Sequence, residues 1–122
     1  MITNFENYTF ELNNYENDIL LPKIIQGLSV RHGKDKAISN KQACNKMRQM
    51  GLKISPARFR KIIQYIRLNG LIQNLLASSK GYYISTNKIE REKYIDSLNE
   101  RINSLQNTMY ALTYQNENSK SC

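Results

Sequence analysis

The chain has 122 residues, 40% of them hydrophobic, with two cysteines, one histidine and a formal net charge of +8. That length suits one domain with a modest core plus an appendage. No apolar run approaches the ~20 residues that span a bilayer, and the Met1–Glu6 stretch lacks the basic-then-apolar order of a signal peptide. A membrane protein is therefore not expected, and a cytoplasmic one is. Charge is unevenly placed. Residues 1–20 hold four acids and no Lys or Arg. Residues 21–86 hold thirteen basic residues against one acid, Asp35, a net of +12. Residues 87–122 balance five bases against five acids. A basic block between an acidic lead-in and a neutral tail implies a polyanionic partner for the block. A basic membrane-surface patch is the weaker reading, because the basic face has no large apolar residue beyond Leu68.

Residues 1–14 are Asn-rich with scattered aromatics and read as an N-terminal arm; within it the weak alternation of Tyr8–Leu12 suits a short strand. A first helix is expected from about Tyr15 or Asn17 to Val30, with Leu20, Ile24 and Leu28 on one line and Pro22 within its first two turns. Arg31–Lys36 forms a basic turn, in which His32 is a turn residue or phosphate contact rather than a catalytic or metal group. Ala37–Ile38 is a very short strand. Ser39 (or Asn40) caps a second helix that ends at Gly51 and shares Ala43, Met47 and Met50 on one face. Cys44 lies beside them as a buried thiol. A disulfide to Cys122 is not expected, and the two cysteines share no metal-type spacing.

Ser55 to Gly70 reads as a third helix with both ends marked: Ser55 as cap, Pro56 in the first position and Gly70 past the end. Phe59, Ile62, Ile63 and Ile66 fall on its core side. Ala57, Lys61, Gln64 and Leu68 lie opposite, flanked by Arg58, Arg60, Tyr65 and Arg67, with no carboxylate. Arg and Lys neutralise phosphate or pair with guanine, and Gln pairs with adenine. The same face reads equally as a solvated surface. Two short helices with a Gly-containing link, the second one basic, form a helix-turn-helix arrangement. Beyond it, apolar Leu71–Leu75, a turn cluster at Ala77–Gly81 and Tyr82–Ser85 make a hairpin with Lys80 at its tip.

Taken together, Ile38–Ala43, Ser55–Ile63, Ile66–Ile72 and Lys80–Tyr83 resemble the winged helix-turn-helix family. The small versions in bacterial repressors, such as the N-terminal domain of biotin-operon repressors, and in phages and mobile elements look nearest. The resemblance covers about residues 17–86 and departs from the common form in a longer Met50–Ile54 link. It implies a mostly α fold with a small β-hairpin, a recognition helix at about 56–69 in the major groove and a wing at 71–85 on the backbone. The expected base contacts are Arg58, Lys61 and Gln64. The expected phosphate contacts are Ser55, Arg60, Arg67, Lys80, Lys41 and Lys53.

In the last segment, Asn87 and Glu90 resemble a capping box. Ile95, Leu98, Ile102, Leu105, Met109 and Leu112 then recur at alternating spacings of three and four, the a/d seam of a coiled coil, with Leu at every d position. Residues 87–113 are thus a dimerisation helix, with a helix folded back on its own domain as the alternative, and 114–122 a disordered tail. The expected protein is a homodimer that binds double-stranded DNA and regulates transcription in a bacterial or phage-infected cell, associated with the nucleoid. Replication-origin or architectural binding for a phage or mobile element, RNA or another polyanion as partner, and a protein–protein module are the alternatives. No P-loop, no nucleophile set and no metal cluster is present, so neither catalysis nor a cofactor or small-molecule ligand is expected.

Overall fold

The computed structural model describes residues 11–119; most of the N-terminal arm, including the greater part of the Tyr8–Leu12 strand, lies outside them. The described chain is mostly helical, with one two-stranded antiparallel hairpin and a long C-terminal helix. It divides into two units, one up to Thr86 and one from Asn87 onward.

The first helix opens at residues 14–15, widens into a π-helical turn, Glu16–Leu20, and continues as α1, Leu21–Leu28. The N–H of Leu21 reaches five residues back to the Glu16 carbonyl. Pro22 follows at once. It has no N–H to continue the α ladder, and a wide turn accommodates that loss. Leu20, Leu21, Ile24 and Leu28 are buried, whereas Val30, expected as the helix end, lies beyond it and is exposed. A 3-10 turn, Lys34–Lys36, leads into α2, Asn40–Gln49. Ser39 and Gln42 cap α2 reciprocally: the Gln42 N–H donates to Ser39 Oγ, and the Ser39 N–H donates to Gln42 Oε1. Ala43, Cys44 and Met47 enter the core. Met50 does not; it stands past the end of the helix, 56% exposed.

Helix α3, Pro56–Leu68, is capped by Ser55, whose Oγ accepts from the Arg58 N–H at 3.1 Å. Phe59, Ile62, Ile63 and Ile66 are all at most 2% exposed. Each such side chain contributes about 1.5–3 kcal/mol through burial, so this stripe fixes which way α3 faces. Both α2 and α3 end in a Schellman turn. Gly51 and Gly70 take positive φ, while the N–H groups of Leu52 and Leu71 reach back to Met47 and Ile66.

Residues 71–74 form a turn rather than a strand, closed by Asn74 at φ 63°. Asparagine tolerates this region better than most residues, and strand β1 consequently starts only at Leu75. Strands β1 (Leu75–Ser78) and β2 (Gly81–Ile84) pair from Leu75 with Ile84 to Ser78 with Gly81. The Ile38 backbone adds a third rung beside β2. Its N–H donates to the Tyr82 carbonyl at 3.0 Å and its carbonyl accepts from the Tyr82 N–H at 2.8 Å. This approach is what requires Gly81, since a Cβ there would overlap the Ile38 carbonyl.

The second unit is α4, Lys88–Asn118, capped by the Asn87 side chain, which accepts from the Ile89 and Glu90 N–H groups. The helix continues through Tyr114–Asn118, where a frayed tail was expected. Among the described residues, no helix is long and apolar enough to cross a membrane.

Candidate nucleic-acid interface

Helix α3 carries most of the residues at issue, and the chain N-terminal to α1 decides which of them are free. Asn13 and Glu16 form a reciprocal capping pair: the Asn13 N–H donates to Glu16 Oε1, and the Glu16 N–H donates to Asn13 Oδ1. The pair delivers the Glu16 carboxylate, only 3% exposed, onto α3. There Arg58 Nε donates to Oε2 at 3.0 Å and Lys61 Nζ donates to Oε1 at 2.9 Å. Tyr15 reinforces the contact. Its ring lies beneath the Arg58 guanidinium at 5.4 Å, and its hydroxyl both donates to the Lys53 carbonyl and accepts from the Lys53 N–H.

Burial pushes the Glu16 carboxyl upward. The hydrogen bond from Lys61, that from the Asn13 N–H and the charges of Lys61 and Arg58 together outweigh it, leaving the group below its ordinary value. The clamp therefore holds a carboxylate, and its three side chains together carry +1.

This arrangement gives two of the three expected base contacts an acidic partner within the chain. Arg58 and Lys61 do lie away from the hydrophobic stripe, but their charged ends turn to Glu16, and their side chains are about one-third exposed. They act as an internal tie rather than as free cations. Two expected phosphate contacts also have structural work. Arg67 Nε donates to the Leu75 carbonyl at 3.0 Å, fastening the end of α3 to β1. The Ser55 oxygen accepts the capping bond, although its own proton remains available to donate.

Helix α3 retains an uncovered line of Ala57, Arg60, Gln64 and Leu68, at spacings of three, four and four. Ala57, Arg60 and Leu68 are exposed and Gln64 is half-buried. The starts of α2 and α3 are tied by Asn40 Nδ2, which donates to the Pro56 carbonyl at 3.0 Å. The exposed Lys41 thereby stands near the N-terminus of α3, and the exposed Lys53 lies two residues before its cap. Lys80 is exposed at the hairpin turn. Arg48 points elsewhere: its Nε and Nη2 both donate to the Ile54 carbonyl and close the link between α2 and α3.

The contacts not anticipated are those of Tyr15, Glu16 and Asn40. The Asn13-x-x-Glu16 spacing announces the capping pair. Nothing local announces that the same carboxylate meets Arg58 and Lys61, 42 and 45 residues away. His32, expected in a turn, is exposed and sits instead in a parallel β-bridge with Ile84. Among the described residues, no three His, Cys, Asp or Glu side chains are grouped to hold a metal. On α4, the seam residues Ile95, Leu98, Ile102, Leu105, Met109 and Leu112 are 38–70% exposed.

No protein-family model, curated protein or solved structure matches the chain.

Proposed function

We propose that the chain is a winged helix-turn-helix protein that binds double-stranded DNA as a homodimer and catalyses nothing. The observation that carries this reading is the uncovered line of α3 centred on Arg60 and Gln64. It is free of acids and flanked at its start by Lys41 and Lys53. Support for the fold comes from the order helix, single rung at Ile38, two capped helices and hairpin, with the rung joined to β2. Arg60 and Gln64 meet base edges. Lys41, Lys53, Lys80 and the Ser55 hydroxyl meet phosphates, while Arg58 and Lys61 position α3 through Glu16. Two protomers joined along the α4 seam present two copies of α3 to a two-fold-related site. Regulation of transcription, origin binding and architectural packing all use the same contacts.

The test is selection of duplexes from a random library, followed by anisotropy titrations at several salt concentrations. Each phosphate contact contributes a slope of about −0.9 in log affinity against log salt. Lys80→Ala should flatten the slope by about one contact per protomer and weaken all sequences alike, whereas Gln64→Ala should relax sequence preference. Salt-independent or undetectable duplex binding refutes the proposal. It would favour a protein-contacting module instead, a reading to which the Glu16 clamp lends some weight because it removes two cations from the free surface.

A further inference from the structure

A cavity of about 240 Å³ opens between α1, α2 and the first turn of α3, and its lining includes neither Arg60 nor Gln64. Gly27, Ile38, Met47 and Phe59 are among its lining, and Phe59 and Met47 are themselves buried in the core. Val30 and Met50 also border it, 66% and 56% exposed, so the apolar surface continues outward. Three cations, Lys23, Arg31 and Lys46, complete the lining, and no acid does. Lys23 and Lys46 are exposed, whereas Arg31 is half-buried. Its Nη1 donates to the Lys36 carbonyl, but its Nε is buried with no hydrogen-bond partner among the described residues. That nitrogen is closed to a water-sized atom, so it is as a charge on the lining that Arg31 acts, and a carboxylate is the group that best matches a guanidinium.

We propose that this cavity binds a small amphiphilic carboxylate, its apolar body against Met47 and Phe59 and its carboxylate in the field of Lys23, Arg31 and Lys46. An apolar cavity of about 150 Å³ takes benzene; this one has room for a medium-length acyl chain or a ring with a short tail. The site is independent of the DNA reading. Because Phe59 belongs to the first turn of α3, occupancy also bears on the helix that carries Arg60.

Gly27 provides the blocking variant. An added Cβ at this position meets nothing within 4 Å, so a side chain can be started from the cavity wall, Gly27→Leu is designed to occupy the space, and leaving glycine also favours the helix. The probes are octanoate, 1-octanol and octylamine, titrated into the full chain with methionine methyl groups labelled for NMR. The expected result is saturable movement of the Met47 and Met50 methyl signals, with octanoate at least ten-fold tighter than octanol and octylamine weakest. Lys46→Gln, at an exposed position, should weaken octanoate several-fold and leave octanol unchanged. Gly27→Leu should abolish both while its circular dichroism and melting show a folded chain. Equal affinity for octanol and octanoate, octanoate binding that survives Gly27→Leu, or no saturable shift with millimolar octanoate would each overturn the proposal. A drop in solution mass of Gly27→Leu would also overturn it, since the cavity would then hold a second copy of the chain.

Discussion

Replacing Glu16 by Gln removes one charge and almost no volume. The amide oxygen can still accept from the Asn13 N–H, so the helix start is kept. What is lost is the charge on the bond from Lys61 at 2.9 Å and the whole bond from Arg58 at 3.0 Å, because the amide nitrogen in the place of Oε2 cannot accept. A hydrogen bond to a charged group contributes about 1.5–3 kcal/mol when buried, but exposed ion pairs contribute about 0.2–1 kcal/mol. Both cations are about one-third exposed and regain water when released, so the cost at neutral pH should be about 1–3 kcal/mol. The folded-state carboxyl titrates below its ordinary value. Its contribution is therefore complete above the ordinary carboxylate range and is lost as pH falls through the folded-state value. Urea unfolding of both proteins from neutral to acid pH should show two stabilities that differ at pH 7 and converge in acid, where the wild-type side chain is also neutral. Equal stability at pH 7, or a gap that persists undiminished in acid, would refute the clamp. The opposite cut is harsher: Arg58→Ala with Lys61→Ala strands a buried carboxylate and should cost about 3–5 kcal/mol.

Gly81→Ala should lower stability by about 3 kcal/mol or more, read as a fall in denaturation midpoint, because φ is 123° and the new Cβ meets the Ile38 carbonyl. Leu105 is 70% exposed in the single chain, so Leu105→Asp should leave the melting of the first unit unchanged. Light scattering should nevertheless show the mass halved, and an unchanged dimer would dismiss the seam as the interface. Cys44 is 1% exposed, and burial raises its thiol pKa against the opposing charges of Arg48 and Arg60. In a Cys122→Ser background its reaction with a disulfide reagent at pH 8 should follow the rate of unfolding rather than reagent concentration.

The local grammar of this chain was open to reading residue by residue. Ser39 and Ser55 cap helices, Gly51 and Gly70 end them, and Phe59, Ile62, Ile63 and Ile66 turn inward, because capping and helical period depend only on neighbours within about one turn. The same holds for Asn87 and the start of α4. Where two local rules competed, sequence was a poorer guide. Leu71 looked like the start of a strand, yet the Schellman turn at Gly70 and the left-handed Asn74 delayed β1 to Leu75. Met50 fitted the apolar face of α2 by spacing, but the helix stopped before it. The candidate surface was legible only as an inventory of cations. Which of those cations are free depended on Glu16, counted in sequence as part of an acidic lead-in and found in the fold as the partner of Arg58 and Lys61. Composition and periodicity thus determined that a basic, helix-rich unit would be followed by a long helix with an apolar seam. Packing alone decided which basic groups face outward, because an ion pair between residues more than 40 positions apart forms only when the folded backbone brings its two ends together.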